Sequence, residues 1–253
     1  MFEFSGLLFS DHSLQKATNF LVLESQFEKK IFVATPNVNF IMRARKSKSF
    51  HQLLQEFDIL YADGMPIVWA SRLMGEGLPG RVTGADLLPN ICQLLSNERR
   101  SVFLAGGSTK IALNKAEQYL RLKFQSLEVK TFFPSYGFEN CEEESLKLIQ
   151  AIKDASVDIV FLGVGSPKQE EWLIKYKDKL PNGVYIACGM AIGYLSNTVK
   201  RAPKVFQDFG CEWIWRIIQE PRRLFFRYFI DLQFVFVLFA ELISHSRKKR
   251  SKK

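Results

Sequence analysis

Residues 58–86, DILYADGMPIVWASRLMGEGLPGRVTGAD, hold the residue types best suited to chemistry. An apolar run, Ile59-Leu60-Tyr61, stops at Asp63-Gly64. Pro66 then fits a first helical turn, where its missing N–H would have had no partner. A carboxylate is thereby set at the carboxyl end of a strand, where open α/β sheets bind ligands. Arg81-Val82-Thr83-Gly84-Ala85-Asp86 adds a cation, a hydroxyl and a glycine ahead of another helical stretch. Together they offer a base, an anion clamp and a helix N-terminus. Asp-Gly between a strand and a helix is also ordinary turn chemistry, so position alone leaves Asp63 either a base or a turn residue.

Three further loops carry similar signals. Thr35-Pro36-Asn37-Val38-Asn39 follows the strand-like IFVAT with hydroxyl and amide groups. Gly106-Gly107-Ser108-Thr109 follows SVFLA and leads into a good helix. Such a Gly-Gly turn lets backbone N–H groups approach a phosphate, although glycine is equally the ordinary way to turn tightly. After DIVFLG comes Gly163-Val164-Gly165-Ser166-Pro167-Lys168-Gln169. Here Ser166 with Gln169 fits a capping box and Pro167 a first helical position, while the two glycines suggest a ligand against the backbone. The third glycine of a dinucleotide fingerprint and the Walker lysine are both missing, so neither NAD nor ATP is favoured.

The elements that must position these loops alternate. Residues 4–9 and 31–35 read as strands flanking a helix over 13–26, with further strands near 58–61, 101–105, 127–132, 158–162 and 184–188. Repeated β then α predicts an α/β fold, a parallel sheet with helices on both faces. Right-handed crossovers then bring all the strand-to-helix loops to one edge.

With 253 residues, 47% of them hydrophobic, the chain can bury a real core. Its formal charge of +9 is uneven: residues 198–253 carry 13 Lys/Arg against 5 Asp/Glu, which leaves 22 against 21 elsewhere. An anionic partner is therefore expected at the C-terminal end. Cys92, Cys141, Cys188 and Cys211 are too scattered for a zinc site or a disulfide framework. The first residues show no secretory leader, and a reducing cytoplasmic setting is expected. Beyond 196 the alternation ends in two helices broken at Pro221 and a basic tail. In the second, Arg223, Arg227 and Asp231 share one face. Charges at Arg227, Asp231 and Glu241 interrupt any run of the ~20 apolar residues a membrane-spanning helix needs. An interfacial helix fits better, with Trp213 and Trp215 as anchors; packing on the core or in a homo-oligomer is the plainer alternative.

The series TPNVN (35–39), ADGMPIVWASRLMG (62–75), RVTGADL (81–87), FLAGG (103–107), GSPKQEEW (165–172) and VKRAP through EWIWRIIQEPRRL resembles the WecG/TagA/CpsF family of bacterial glycosyltransferases over nearly the whole chain. The resemblance implies a Rossmann-like catalytic domain over 1–195 and a helical membrane-binding appendage over 196–253. It also implies an inverting hexosyltransferase, peripheral on the inner face of the cell membrane. Such an enzyme moves a sugar from a UDP-sugar donor to a polyprenyl-diphosphate-linked acceptor in teichoic acid, common antigen, capsule or exopolysaccharide synthesis. By the same resemblance Asp63 is the general base, Thr35 and Asn37 stand beside it, Arg81 and Gln169 line the substrate site, and the appendage arginines complete it. Two departures bear on the donor sugar. Asn39 stands where relatives commonly carry Glu, and Gly189-Met190-Ala191-Ile192-Gly193 replaces a more usual Gly-Gly-Ala-Phe-Asp.

The residues suit that chemistry. Direct displacement at an anomeric carbon needs a carboxylate to take the acceptor proton and positive charge where the UDP leaving group becomes negative. Asp63 suits the first; Arg81, Arg216, Arg222, Arg223 and Arg227 suit the second, with Gly106, Gly107, Gly163 and Gly165 as the phosphate-side backbone. No Asp-x-Asp is present, so metal-independent transfer without a cofactor is expected, guanidiniums and helix N-termini serving instead. An N-acetylmannosamine-type donor is the first reading and UDP-glucose or a UDP-uronic acid the second. The rival of another class is a non-catalytic protein that binds anionic surfaces. Near-neutrality of residues 1–197 argues against a nucleic-acid partner.

Overall fold

A computed structural model describes residues 1–208, 210, 212–219, 221 and 231–250. Eight strands form one sheet: β1 (Phe2–Phe4), β2 (Leu7–Phe9), β3 (Lys30–Ala34), β4 (Ile59–Leu60), β5 (Ser101–Gly106), β6 (Glu128–Phe132), β7 (Ile159–Gly163) and β8 (Gly183–Ala187). Their order is β1-β2-β4-β3-β8-β7-β5-β6, and every pairing except β1 with β2 is parallel. The strands expected from 31 onward are present with shifts of a residue or two.

The single strand expected over 4–9 is instead a hairpin. Ser5 and Gly6 both have positive φ, 51° and 73°, the conformation that reverses a chain in two residues and matches strand twist. Phe2, Phe4, Leu7 and Phe9 then all point into the core, while Glu3 and Leu8 point out.

The helices are α1 (Leu14–Glu24), α2 (Val38–Lys46), α3 (Lys48–Gln55), α4 (Met65–Leu73), α5 (Gly84–Asn97), α6 (Lys110–Lys123), α7 (Glu142–Ala155), α8 (Lys168–Lys175), α9 (Ala191–Leu195), α10 (Lys204–Asp208), α11 (Glu212–Gln219) and α12 (Phe234–Arg250). Period-2 alternation along β3 sends Phe32 and Ala34 to one face and Ile31 and Val33 to the other. On the first face they meet α2, α3, α4, α7 and α8; on the second, α1, α5, α6 and α9. Adjacent strands β5 and β7 therefore feed helices on opposite faces, as do β3 and β8. Each such divergence opens a crevice at the carboxyl edge, the place where doubly wound sheets bind ligands.

The C-terminal segment departs from the two-helix expectation. Leu232 and Gln233 form a turn, so no helix runs unbroken from Pro221 into the 240s. The cause is tertiary. Asp231 is buried and accepts a 3.2 Å bond from Asn39 Nδ2, while the Phe234 ring packs 5.4 Å from Phe4. Phe234 and Val237 join the core; at about 1.5–3 kcal/mol each they are enough to hold α12 against the hairpin and α2. Glu241 adds polar contacts to Ser5 and Arg45. No helix among the described residues is long and apolar enough to cross a membrane.

Candidate active site

Backbone bonds draw the loops together at the carboxyl edge. The Asp63 N–H donates to Pro36 O at 2.9 Å, tying the β4–α4 turn to the Thr35–Asn37 loop. The Val82 N–H donates to Ala62 O at 2.9 Å and brings Arg81 to the same place. Gly64, at φ 123°, makes the turn into α4, whose first turn contains Pro66 as expected. Thr35 is buried beneath this cluster, and Asn37 caps α2 by accepting the Asn39 N–H. Asp63, Thr35, Asn37 and Arg81 thus converge, the first three from turns that directly follow strands.

The glycine turns form the neighbouring part of the edge. The Gly107 N–H donates to Gly163 O at 2.8 Å across the β5–β7 crevice. At Gly106, φ is 99° and a Cβ would stand 2.7 Å from Gly163 O, so only glycine permits this approach. The two parts meet at α5. Thr83 caps that helix from the Asp86 N–H, and a Cβ on Gly84 would lie 2.9 Å from Cys188 Cα at the end of β8. The N-terminus of α5 therefore opens between Arg81 and the β8 turn.

Arg81 is engaged. Its guanidinium pairs with Glu212 at the start of α11, and Arg201 bridges Glu212 to Asp86, at 3.3 and 2.6 Å. Glu212, Arg201 and Asp86 were not singled out from sequence for the site; the RVTGAD motif and the acidic start of EWIWR were the available signals. The loop Ser10–Ser13 was not singled out from sequence either. Since β2 runs parallel to β4, this loop too reaches the carboxyl edge, where His12 Nδ1 lies 3.1 Å from the Tyr61 hydroxyl. Burial, with a smaller effect from Lys16, lowers the His12 pKa from its ordinary value. Arg222, Arg223 and Arg227 lie outside the described residues, as does the side chain of Arg216.

The capping box expected from Ser166 and Gln169 does not form. Helix α8 starts at Lys168 without a side-chain cap, and the Gln169 side chain turns inward. Its Oε1 accepts from Gly165 N–H at 3.3 Å and Gly189 N–H at 3.1 Å, and its Nε2 donates to Glu170 Oε1 at 2.6 Å. Glu170 is fully buried, with no partner on Oε2. Burial pushes its pKa up to about 7, against smaller lowering effects from Gln169, Ser166 and the more distant charge of Arg43; the Cys188 thiol also faces it. The unfolded chain ionises this group near pH 4.5, so the native state holds the extra proton between about 4.5 and 7. Stability from this group is therefore greatest below that window and falls as pH rises through it. Urea unfolding across pH 5–8 should show that slope. Glu170→Gln should flatten it; an unchanged slope would assign it elsewhere.

With this geometry in view, comparison with known proteins is decisive. The model of the Glycosyl transferase WecG/TagA/CpsF family matches residues 2–248. The chain belongs to the WecG/TagA/CpsF family. Among its relatives, the N-acetylglucosaminyldiphosphoundecaprenol N-acetyl-beta-D-mannosaminyltransferase of Staphylococcus aureus (strain MW2) is 26% identical over 201 residues, covering 79% of this chain and 76% of the relative. The enzyme of the same name from Bacillus spizizenii (strain ATCC 23059 / NRRL B-14472 / W23) is 27% identical over 195 residues, covering 77% and 74%. As a WecG/TagA/CpsF glycosyl transferase the chain is a transferase.

Proposed function

We propose that this chain transfers a sugar, of N-acetylmannosamine type, from a UDP-sugar to a polyprenyl-diphosphate-linked sugar in cell-wall or surface polysaccharide synthesis. The observation that carries the reading is the Asp63 carboxylate at the end of β4, its turn tied by backbone bonds to Thr35–Asn37 on one side and Arg81 on the other. Asp63 takes the acceptor hydroxyl proton as oxygen attacks the anomeric carbon, inverting it, and UDP leaves towards positive charge. Arg81 supplies part of that charge, its guanidinium passing from Glu212 to the diphosphate. The N-terminus of α5 supplies the rest. The names of the relatives support the acceptor class and the sugar type.

The membrane surface belongs to the same reading. One side of α12 packs on the core, while Phe236, Phe239 and Ile243 are more than half exposed. Phe236 also lines a groove with Arg45 and Lys46. Exposed aromatic residues beside basic ones suit an interfacial helix on anionic lipid, which would bring a lipid-linked acceptor to the sheet edge.

The test supplies UDP-N-acetylmannosamine, UDP-glucose and a UDP-uronic acid in turn to the protein with membranes, and weighs the lipid-linked product. An added N-acetylhexosamine mass is expected; a hexose or uronic acid mass would give the donor to the second reading, and no product with any donor would defeat the assignment. Chelator should leave the rate unchanged, because guanidiniums and helix N-termini carry the leaving-group charge. A rate abolished by chelator and restored by magnesium or manganese would require a bound divalent ion.

A further inference from the structure

We propose that Gln169 and Glu170 form a buried clamp that sets the backbone of the Gly163–Gly165 and Cys188–Gly189 turns, making Gln169 a positioning residue and not a direct ligand of substrate. The hydrogen bonds fix the orientation of the amide. Gly165 and Gly189 present N–H groups, which only donate, so Oε1 must face both; the Glu170 carboxylate accepts, so Nε2 must face it. Gln169 is 2% exposed and Glu170 0%, so neither pair of polar atoms is open to solvent.

The two turns need such a partner. Gly165 and Gly189 lie just past the ends of β7 and β8 with φ of 90° and 55°, outside the strand ladder, and an unpaired N–H in a partly buried turn is costly. One side-chain oxygen serves both, so the spacing of the turns is coupled through Gln169. Glu170 stops the amide from rotating: with its nitrogen towards Gly165 and Gly189, donors would face donors. Because the β7 turn borders the crevice with Gly106–Gly107, and the β8 turn meets Gly84 at the start of α5, the clamp sets the width of the edge that receives the donor.

A paired substitution tests this. In Gln169→Glu both side chains can only accept once ionised, so one oxygen of residue 169 faces the Glu170 carboxylate. As the pH is raised and the pair loses its shared proton, the clamp should open. Amide hydrogen exchange in peptides covering 163–169 and 186–192 should accelerate, and kcat/KM should fall about 10- to 100-fold, the scale of an unsatisfied buried polar pair. Adding Glu170→Gln restores a donor opposite the new carboxylate. The double variant should recover slow exchange at both turns and return kcat/KM to within about tenfold of the parent, a strong positive coupling.

A double variant that melts and exchanges like the parent yet stays as inactive as Gln169→Glu would overturn the proposal, since the amide would then be touching substrate. Should Gln169→Glu fail to fold, Glu170→Leu serves, retaining much of the bulk without the acceptor: faster exchange at both turns is expected, and unchanged exchange would defeat the clamp. The activity readout rests on the proposed transfer reaction and the exchange readout does not. A parent inactive on every UDP-sugar would therefore fault that reading while exchange still judged the clamp.

Discussion

Asp63→Asn should give a folded protein that still binds nucleotide and turns over at least about 10²-fold more slowly, the scale of losing a general base. The substitution keeps shape and the backbone bond from residue 63 N–H to Pro36 O, so the turn at the end of β4 should survive. It removes the one property the proposed reaction needs there, the capacity to accept a proton from the acceptor hydroxyl as the anomeric bond forms. Single-turnover rates, with UDP affinity measured by titration calorimetry, separate the two effects. A variant that binds UDP like the parent and transfers sugar at the parent rate would remove Asp63 from the chemistry and leave it a turn residue. Unchanged rate with weakened binding would instead place the carboxylate against the donor.

Much of the architecture was legible because the strands from β3 onward, apart from the polar edge strand β6 (Glu128-Val129-Lys130-Thr131-Phe132), are short apolar runs ended by a turn residue, and each crossover helix has an apolar stripe. Sequence alone puts Asp63, Thr35 and Arg81 at one edge, since parallel crossovers leave few other arrangements. What escaped the sequence was set by tertiary contacts. Ser5-Gly6 looks like a weak spot in one strand until both residues adopt positive φ and fold Phe2 back onto Phe9. Ser166 and Gln169 have the spacing of a capping box, but two glycine N–H groups from separate turns compete for the Gln169 oxygen and win. Glu212 is unremarkable in EWIWR, and its place against Arg81 depends on how α11 returns to the sheet, a long-range pairing that no local pattern encodes.

The second large effect expected concerns the two kinds of positive charge beyond residue 196. Arg216, Arg222, Arg223 and Arg227 stand in a sequence rich in Trp and Phe, where packing can hold a guanidinium against a diphosphate in a partly dehydrated place. Arg247, Lys248, Lys249, Arg250, Lys252 and Lys253 follow one another with no apolar neighbours, so they should act as diffuse attraction to anionic headgroups, about 1 kcal/mol per residue near the surface. Replacing the four arginines by Ala should lower kcat with a short, water-soluble acceptor by about 10²-fold or more, the range for lost charge stabilisation of a leaving group. Deleting residues 247–253 should leave that soluble reaction intact and weaken vesicle binding, most visibly at low salt. A cut after residue 195 should abolish both properties. It should also lower the melting temperature, because Phe234 and Val237 leave the core and Phe4 loses its contact with the Phe234 ring. The sheet itself closes its two faces with α1 to α9 and should stay folded. If tail deletion and the arginine substitutions produced the same defect on a soluble acceptor, the charges would not be divided in this way. The basic end would then act as one site, with the tail reaching the leaving group that Arg81 and the helix N-termini were expected to serve.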